Sequence, residues 1–137
     1  MTSTRITKCA VDDNDYDAHT YMLYGDSYSM SLEPQIFHAA DELSDAYGGG
    51  VWDFFALSNG GFFMSPRYET VLAVNCSSGS QVNISAEAFG ISACLFAFSR
   101  LSFGYGTFAE TCGRHYYLLR SYMLEQSEAA LILRAID

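Results

Sequence analysis

No lysine or arginine occurs between Cys9 and Pro66. The same stretch holds ten of the sixteen acidic residues, so the acidity behind the net charge of −9 is concentrated in the first half of the chain. An acidic surface repels phosphate groups, which argues against direct nucleic-acid binding through it. Such a surface suits a basic protein partner, for example a nuclease or a DNA translocase. Simple solubility is the alternative explanation.

The sequence also lacks long apolar runs. None reaches the roughly 18 residues of a membrane-spanning helix, and residues 1–15 lack the apolar core of a signal peptide. Half of the 137 residues are hydrophobic, which is enough for one folded core of ordinary size. We therefore expect a cytoplasmic protein without a membrane partner. It should have a flexible arm or edge strand over residues 1–14 and a single domain over residues 15–137.

The cysteines form no C-x-x-C pair and are spread along the chain at Cys9, Cys76, Cys94 and Cys112. A chain with this much hydrophobic material does not need disulfides, so we expect reduced thiols. A zinc site is the alternative, but it requires clustered ligands, which the three dispersed histidines do not supply. The sequence therefore predicts neither a metal nor another cofactor.

Motifs of the common catalytic classes are missing as well. There is no G-x-S-x-G, H-E-x-x-H, phosphate-binding loop or dinucleotide-binding motif. The run GDSYS around Ser27 is similar to the start of one hydrolase class, but Cys112 stands where the acid of the required Asp-x-x-His pair would precede His115. We expect no enzymatic activity. The alternative is a small serine or cysteine hydrolase that uses Ser27 or Cys112 with His115.

Apolar spacing predicts helices on both sides of a central β-rich segment. Tyrosines at helical spacing indicate a first helix in residues 15–30, with Asp15 or Asp17 as its cap. Pro34 opens a second helix, which should run to Tyr47 and end at the glycines that follow. Residues 85–104 are apolar nearly all round, which is typical of a buried central helix. Residues 111–137 predict one or two further helices.

The segment GGGVWDFFALSNGGFFMSP at residues 48–66 combines aromatic rings with glycines. Its rings favour paired strands at 51–57 and 62–64, and Asn59-Gly60 predicts a primed two-residue turn between them. Residues 69–75 and 81–84 predict two more strands. The expected fold is α+β, with a small antiparallel β-meander packed against several helices in a single domain.

Four acids in this part of the chain are candidate partner-binding residues. The period of two places Asp53 on a largely apolar strand face or at its edge, either as a structural acid bonded to turn amides or as a recognition or acid-base residue. Asp41, Glu42 and Asp45 occupy the polar face of the second helix and should face water.

Several segments together resemble the antirestriction proteins of the ArdB/KlcA family. The resemblance covers roughly residues 32–137 and includes ISACLFAFSRLSF and the terminal AID. Its most specific part is the W-D-F…L-S-N-G-G-F…P pattern, whose structural motif residues are Trp52, Asn59, Gly60, Gly61 and Pro66.

The resemblance implies a non-enzymatic cytoplasmic protein that protects incoming plasmid or phage DNA from host type I restriction-modification enzymes. An imitator of DNA would spread its acids at phosphate-like intervals, whereas here they lie in the first half. We therefore expect binding to the restriction complex, through a subunit that the sequence does not identify, by a monomer or a dimer. The contacts should involve Asp41, Glu42, Asp45, Asp53 and Asp137. Asp137 is included because an acid is unfavourable at a helix C-terminus; a frayed, solvated end is the alternative.

Overall fold

The structure, a computed structural model, describes residues 5–136. The described chain contains five strands, five α-helices and one short π-helix. In chain order these are β1 (Lys8–Ala10), α1 (Tyr16–Tyr24), the π-helix (Tyr28–Leu32), α2 (Glu33–Leu43), β2 (Trp52–Leu57), β3 (Phe62–Pro66), β4 (Leu72–Asn75), β5 (Gln81–Ile84), α3 (Ala86–Ser102), α4 (Thr107–Leu124) and α5 (Ala129–Ile136). The predicted α+β class, with small antiparallel sheets packed against helices, is confirmed.

The strands fall into two antiparallel sheets and not into one continuous meander. One sheet has the order β1-β2-β3, and the other pairs β4 with β5. Pro66 ends β3, the Arg67 amide makes one last bond to the carbonyl of Val51, and the chain then leaves the first sheet. The free edge of β2 is instead covered by β1, with Lys8 opposite Leu57. The edge strand predicted for the N-terminal arm is therefore formed by residues 8–10.

The β2–β3 connection differs from the predicted primed turn. The Gly60 amide donates to the Leu57 carbonyl, and the Leu57 amide donates to the Gly61 carbonyl, both at 2.9 Å. Gly60 has a φ of +92°, but no non-glycine residue of the described chain has a positive φ, so Asn59 cannot take a type I′ conformation. The loop is a three-residue connection, in which a tight turn is followed by one left-handed glycine.

Helix α3 lies at the centre of the molecule, as its apolar sequence predicts. Its N-cap Ser85 accepts a hydrogen bond from the Ala88 amide, and ten of its residues are buried. The helix contacts β3, α2, α4 and α5. Gly90 permits the closest of these approaches, because its Cα faces the backbone of Met64 and Ser65 in β3.

Two predicted helix ends need correction. Helix α2 ends at Leu43, four residues before Tyr47, because Ser44 is extended and its hydroxyl donates to the Ala73 carbonyl of β4. The same hydroxyl accepts from the Ala46 amide at 3.1 Å. Asp15 occupies the N-cap position of α1 but makes no side-chain capping bond.

The final segment forms two helices, α4 and α5, within the one-or-two expected. In the described part of the chain, no helix has the length and apolar character needed to cross a membrane.

Candidate functional site

The acids predicted on α2 are all exposed, but they do not form one uniform group. Asp41 and Glu42 lie in the last turn of α2, and Asp45 follows the helix. Glu42 accepts a hydrogen bond from the Arg100 guanidinium of α3 at 2.7 Å, and His38 lies 3.4 Å from the same carboxylate oxygen. Glu42 therefore joins α2 to α3, whereas Asp41 and Asp45 form no ion pair within the described residues.

Asp53 is not bonded to the turn amides that its structural interpretation predicted. It lies opposite Ser65 on β2, with its side chain 41% exposed. The Nε and Nη2 atoms of Arg67 both lie 2.8 Å from its Oδ1 atom, so the acid is bound by a guanidinium and not by turn amides. This hydrogen bond and the adjacent negative charge raise the pKa of Arg67. An exposed pair of this kind contributes little to stability.

The motif residues of the aromatic segment have structural roles. Trp52 is buried and donates its indole N–H to the Tyr47 hydroxyl at 3.0 Å. Asn59 donates to the Leu118 carbonyl of α4 at 2.9 Å, which fixes the hairpin loop against that helix. A Cβ on Gly61 would lie 3.0 Å from Leu118, so this position also requires a small residue. Pro66 lies opposite Trp52 at the end of β3.

Asp137 lies outside the described residues. Its contribution to partner binding stays a prediction, as do the contributions of Asp41, Glu42, Asp45 and Asp53.

The residues of the hydrolase alternative are not arranged as a nucleophile and base. His115 is buried in α4, and its Nδ1 atom hydrogen-bonds to the Tyr24 hydroxyl at 2.9 Å. Burial, with a smaller effect of Arg114, lowers the pKa of His115 to about 4. Burial also raises the pKa of the Cys112 thiol to about 11, so the nucleophilic thiolate is disfavoured at neutral pH. No hydrogen bond joins Ser27 to His115 in the described chain.

A site that the sequence did not predict lies where α1, the π-helix and α2 meet. The Tyr16 hydroxyl donates to a Glu33 carboxylate oxygen at 2.8 Å and also contacts the Tyr28 hydroxyl. These groups line a pocket of about 270 Å³ together with Asp17, Thr20, Tyr21, Gly25, Asp26 and Ser29. The tyrosines at helical spacing are the sequence signal for this site, but that spacing by itself indicates only a helix.

Negative charge is poorly compensated within residues 9–66. Of the ten acids between residues 9 and 66, only Glu42 and Asp53 form ion pairs within the described residues. Lys8 pairs with Glu87 of α3, outside the acidic stretch. The described residues contain no group of three or more His, Cys, Asp or Glu side chains placed to hold a metal ion. The carboxylates of this segment can therefore attract a cationic group and accept hydrogen bonds from it.

Comparison with known proteins identifies the class of protein to which this chain belongs. The family model described as "Antirestriction protein" matches residues 45–137. The uncharacterized protein YafX of Escherichia coli strain K12 is 45% identical over 111 residues, which cover 79% of this chain and 72% of the relative. The antirestriction protein KlcA of Escherichia coli is 38% identical over 114 residues, which cover 77% of this chain and 74% of KlcA.

A solved structure extends the similarity to the whole fold. It superimposes with a TM-score of 0.89 and 30% sequence identity over 100% of both chains. It comes from work on the KlcA and ArdB proteins, for which a novel fold and antirestriction activity against type I DNA restriction systems in vivo but not in vitro are described. The chain belongs to the ArdB/KlcA family of antirestriction proteins.

Proposed function

We propose that this protein protects incoming plasmid or phage DNA from type I restriction-modification enzymes in the cytoplasm, by binding a protein and without imitating DNA. The observation that carries the proposal is the match of the complete fold to a relative with antirestriction activity against type I systems. Activity of that relative in vivo but not in vitro makes a cellular assay the appropriate test.

The distribution of charge supports protein binding over DNA imitation. A DNA mimic needs negative charge at regular intervals along an extended surface, in place of the phosphates. Here residues 9–66 carry ten acids and no Lys or Arg, whereas the residues outside 9–66 carry six acids and seven bases. Uncompensated carboxylates attract a basic protein surface and accelerate association with it.

A hydrolytic function is less well supported. The Tyr24 hydroxyl is hydrogen-bonded to the Nδ1 atom of His115, and both His115 and Cys112 are buried. A non-enzymatic inhibitor needs neither residue at the surface, and in this fold they contribute to the core between α1 and α4.

The test is a restriction assay in cells. Unmodified phage DNA should survive better in cells that carry a type I system when the protein is expressed, and affinity capture from the same cells should recover the partner. Equal restriction with and without the protein would contradict the proposal. Replacing Ser27 or Cys112 by Ala should leave protection unchanged, because neither residue is assigned to the binding surface.

The acidic surface is tested by changing Asp41 and Asp45 to Asn. Glu42 is retained because its removal would also release Arg100. We expect an intact fold, protection reduced several-fold and a captured complex more sensitive to salt. The matched control replaces Glu69 and Glu110 by Gln, which removes the same charge from exposed positions outside the acidic stretch. Full protection by the Asp41/Asp45 variant would assign these acids to solubility alone.

A further inference from the structure

The pocket at the junction of α1 and α2 has aromatic walls as well as acidic ones. Its inner wall includes Tyr28, which is only 4% exposed, and its lining also includes Tyr21, which is 63% exposed. Tyr16 also lines the pocket, and its ring is fixed by stacking on Phe54 of β2 with a centroid separation of 3.6 Å. The pocket is therefore built on rings that the core fixes, and it differs from a group of acids on an open surface.

The hydrogen bonds inside the pocket leave it rich in acceptors. The Tyr16 hydroxyl donates a hydrogen bond to Glu33. The Tyr28 hydroxyl lies 3.3 Å from the Met64 sulfur and also contacts the Tyr16 hydroxyl. Burial raises the pKa of both tyrosines far above their usual value, so both remain neutral hydroxyls. The Thr20 hydroxyl donates to backbone carbonyls of α1. The hydroxyl groups of Tyr16, Tyr28 and Thr20 thus donate to partners within the protein.

The carboxylates of this pocket have no cationic partner in the described chain. Asp17, Asp26 and Glu33 all line it, and none of them forms an ion pair with a described Lys, Arg or His residue. Tyrosine ring faces attract cations as well, and they do so best when the cation is partly desolvated. Ring faces and carboxylates in one concave site therefore favour the same kind of ligand, a cation with an apolar stem.

The size and local structure of the pocket indicate which cationic ligand fits it. A volume of about 270 Å³ is below the range of roughly 300–1,000 Å³ that accommodates drug-sized ligands, and it suits a single long side chain. A planar guanidinium can stack on an aromatic ring while it donates several hydrogen bonds to carboxylates. The π-helix that supplies Tyr28 and Ser29 is a rare local geometry found frequently at functional sites.

We propose that this pocket receives an arginine side chain of the protein that the antirestriction protein binds. The inference rests on the proposed function, because it takes the partner to be a basic protein. In this arrangement the arginine stem packs against the rings of Tyr21 and Tyr16. The guanidinium donates hydrogen bonds to the carboxylates of Asp26, Asp17 and Glu33.

The direct test uses small probes that differ in charge but hardly in shape. N-acetyl-L-arginine amide and its neutral isostere N-acetyl-L-citrulline amide are titrated into the full-length protein, and backbone amide signals are followed by NMR. We expect saturable shifts in α1 and the π-helix with the arginine probe, and at least tenfold weaker binding of the citrulline probe. Equal binding of both probes, or shifts centred on other elements, would overturn the assignment.

Variants separate the pocket from general attraction to an acidic protein. Asp26→Asn and Tyr21→Ala change residues that line the pocket without removing buried core groups, so melting temperatures should stay close to that of the parent. Each should weaken binding of the arginine probe at least threefold. Glu110→Gln is the matched control, because it removes one exposed acid that neither lines this pocket nor belongs to the proposed binding surface. Equal weakening by the control would show that overall charge, and not the pocket, attracts the probe.

The cellular assay distinguishes failure of this inference from failure of the proposed function. If the parent protein gives no protection although it binds the arginine probe, the antirestriction function is wrong, and so is the assignment of the arginine to a restriction partner. If the parent protects and the Tyr21→Ala and Asp26→Asn variants protect equally well despite lost probe binding, the partner does not use this pocket. Loss of both probe binding and protection in these two variants, with both retained in Glu110→Gln, supports the inference.

Discussion

Replacing Gly90 by Ala should destabilise the protein, although alanine is the better helix former. Gly90 lies in the interior of α3, where an added Cβ would come closer than 3.0 Å to the Met64 carbonyl oxygen and to 2.7 Å from the Ser65 Cα. Both atoms belong to the β3 backbone and cannot rotate away as the end of a flexible side chain could. The helix and the strand would therefore have to separate, which disturbs a close-packed interface on both sides.

The expected magnitude follows from two opposing effects. Alanine in place of glycine in a helix interior stabilises by up to about 1 kcal/mol. Overpacking in a well-packed core costs about 1–3 kcal/mol, and a backbone contact places this site at the upper end of that range. The net loss in the free energy of unfolding should be about 2 kcal/mol. For a domain of this length it corresponds to a decrease of about 6–10 °C in melting temperature.

The matched control is Gly113→Ala in α4. An added Cβ there would meet only the Ser102 Cβ at 3.6 Å, an ordinary van der Waals contact, so the gain in helix propensity should dominate. We expect the melting temperature of this variant to rise by about 2–4 °C. The assay is thermal and urea denaturation of both variants beside the parent. A Gly90→Ala protein as stable as the parent, or equal losses in both variants, would refute the close approach of α3 to β3.

Three further predictions address the turn, the buried histidine and the C-terminus. Gly60→Val should cost about 1 kcal/mol or more because Gly60 has a φ of +92°; an unchanged denaturation midpoint would contradict the loop conformation. Burial lowers the pKa of His115 to about 4. The folded protein therefore keeps this imidazole neutral, and the associated stability, up to about 3 kcal/mol, is complete above pH 6.5 and is lost as the pH falls towards 4. His115→Gln should therefore lose less melting temperature than the parent between pH 7 and 4.5, and identical pH profiles would argue against the shift. Deletion of Asp137 should lower protection in cells more than thermal stability, and unchanged protection would remove its proposed role.

The sequence predicts those parts of the fold that depend on local periodicity. The all-round apolar pattern of α3 and its Ser85 cap are sufficient to recognise a central helix. The end of α2 is different, because it depends on a hydrogen bond from Ser44 to Ala73, a residue of another sheet. Likewise, the division into two sheets depends on where the chain turns after Pro66. Contacts between residues distant in sequence decide both features, and no local pattern indicates them.

The same distinction applies to the candidate site. Exposure of Asp41 follows from helical periodicity, and the structure agrees; Asp45 is exposed as predicted, but it lies beyond the end of α2. The ion pair of Asp53 with Arg67 requires knowledge that β2 and β3 are antiparallel neighbours and that Arg67 immediately follows the strand end. The pocket was missed because Tyr28 and Glu33 become its lining only through a π-helix, a geometry that apolar spacing does not predict.

The absence of Lys and Arg from residues 9–66 raises the question of what holds the helices of this segment in place. Mutual repulsion of unpaired carboxylates opposes a compact arrangement of α1 and α2, and ion pairs are not available to offset it in most of this surface. Tyrosines supply the attachment instead, since a ring packs into the core while its hydroxyl meets a polar partner. Tyr24 contacts the rings of Phe62 and Phe98 and bonds to His115, and Tyr28 packs edge-to-face on Phe62. Such anchoring holds α1 and α2 in place without using their carboxylates in internal salt bridges, which is what the proposed binding of a basic partner requires.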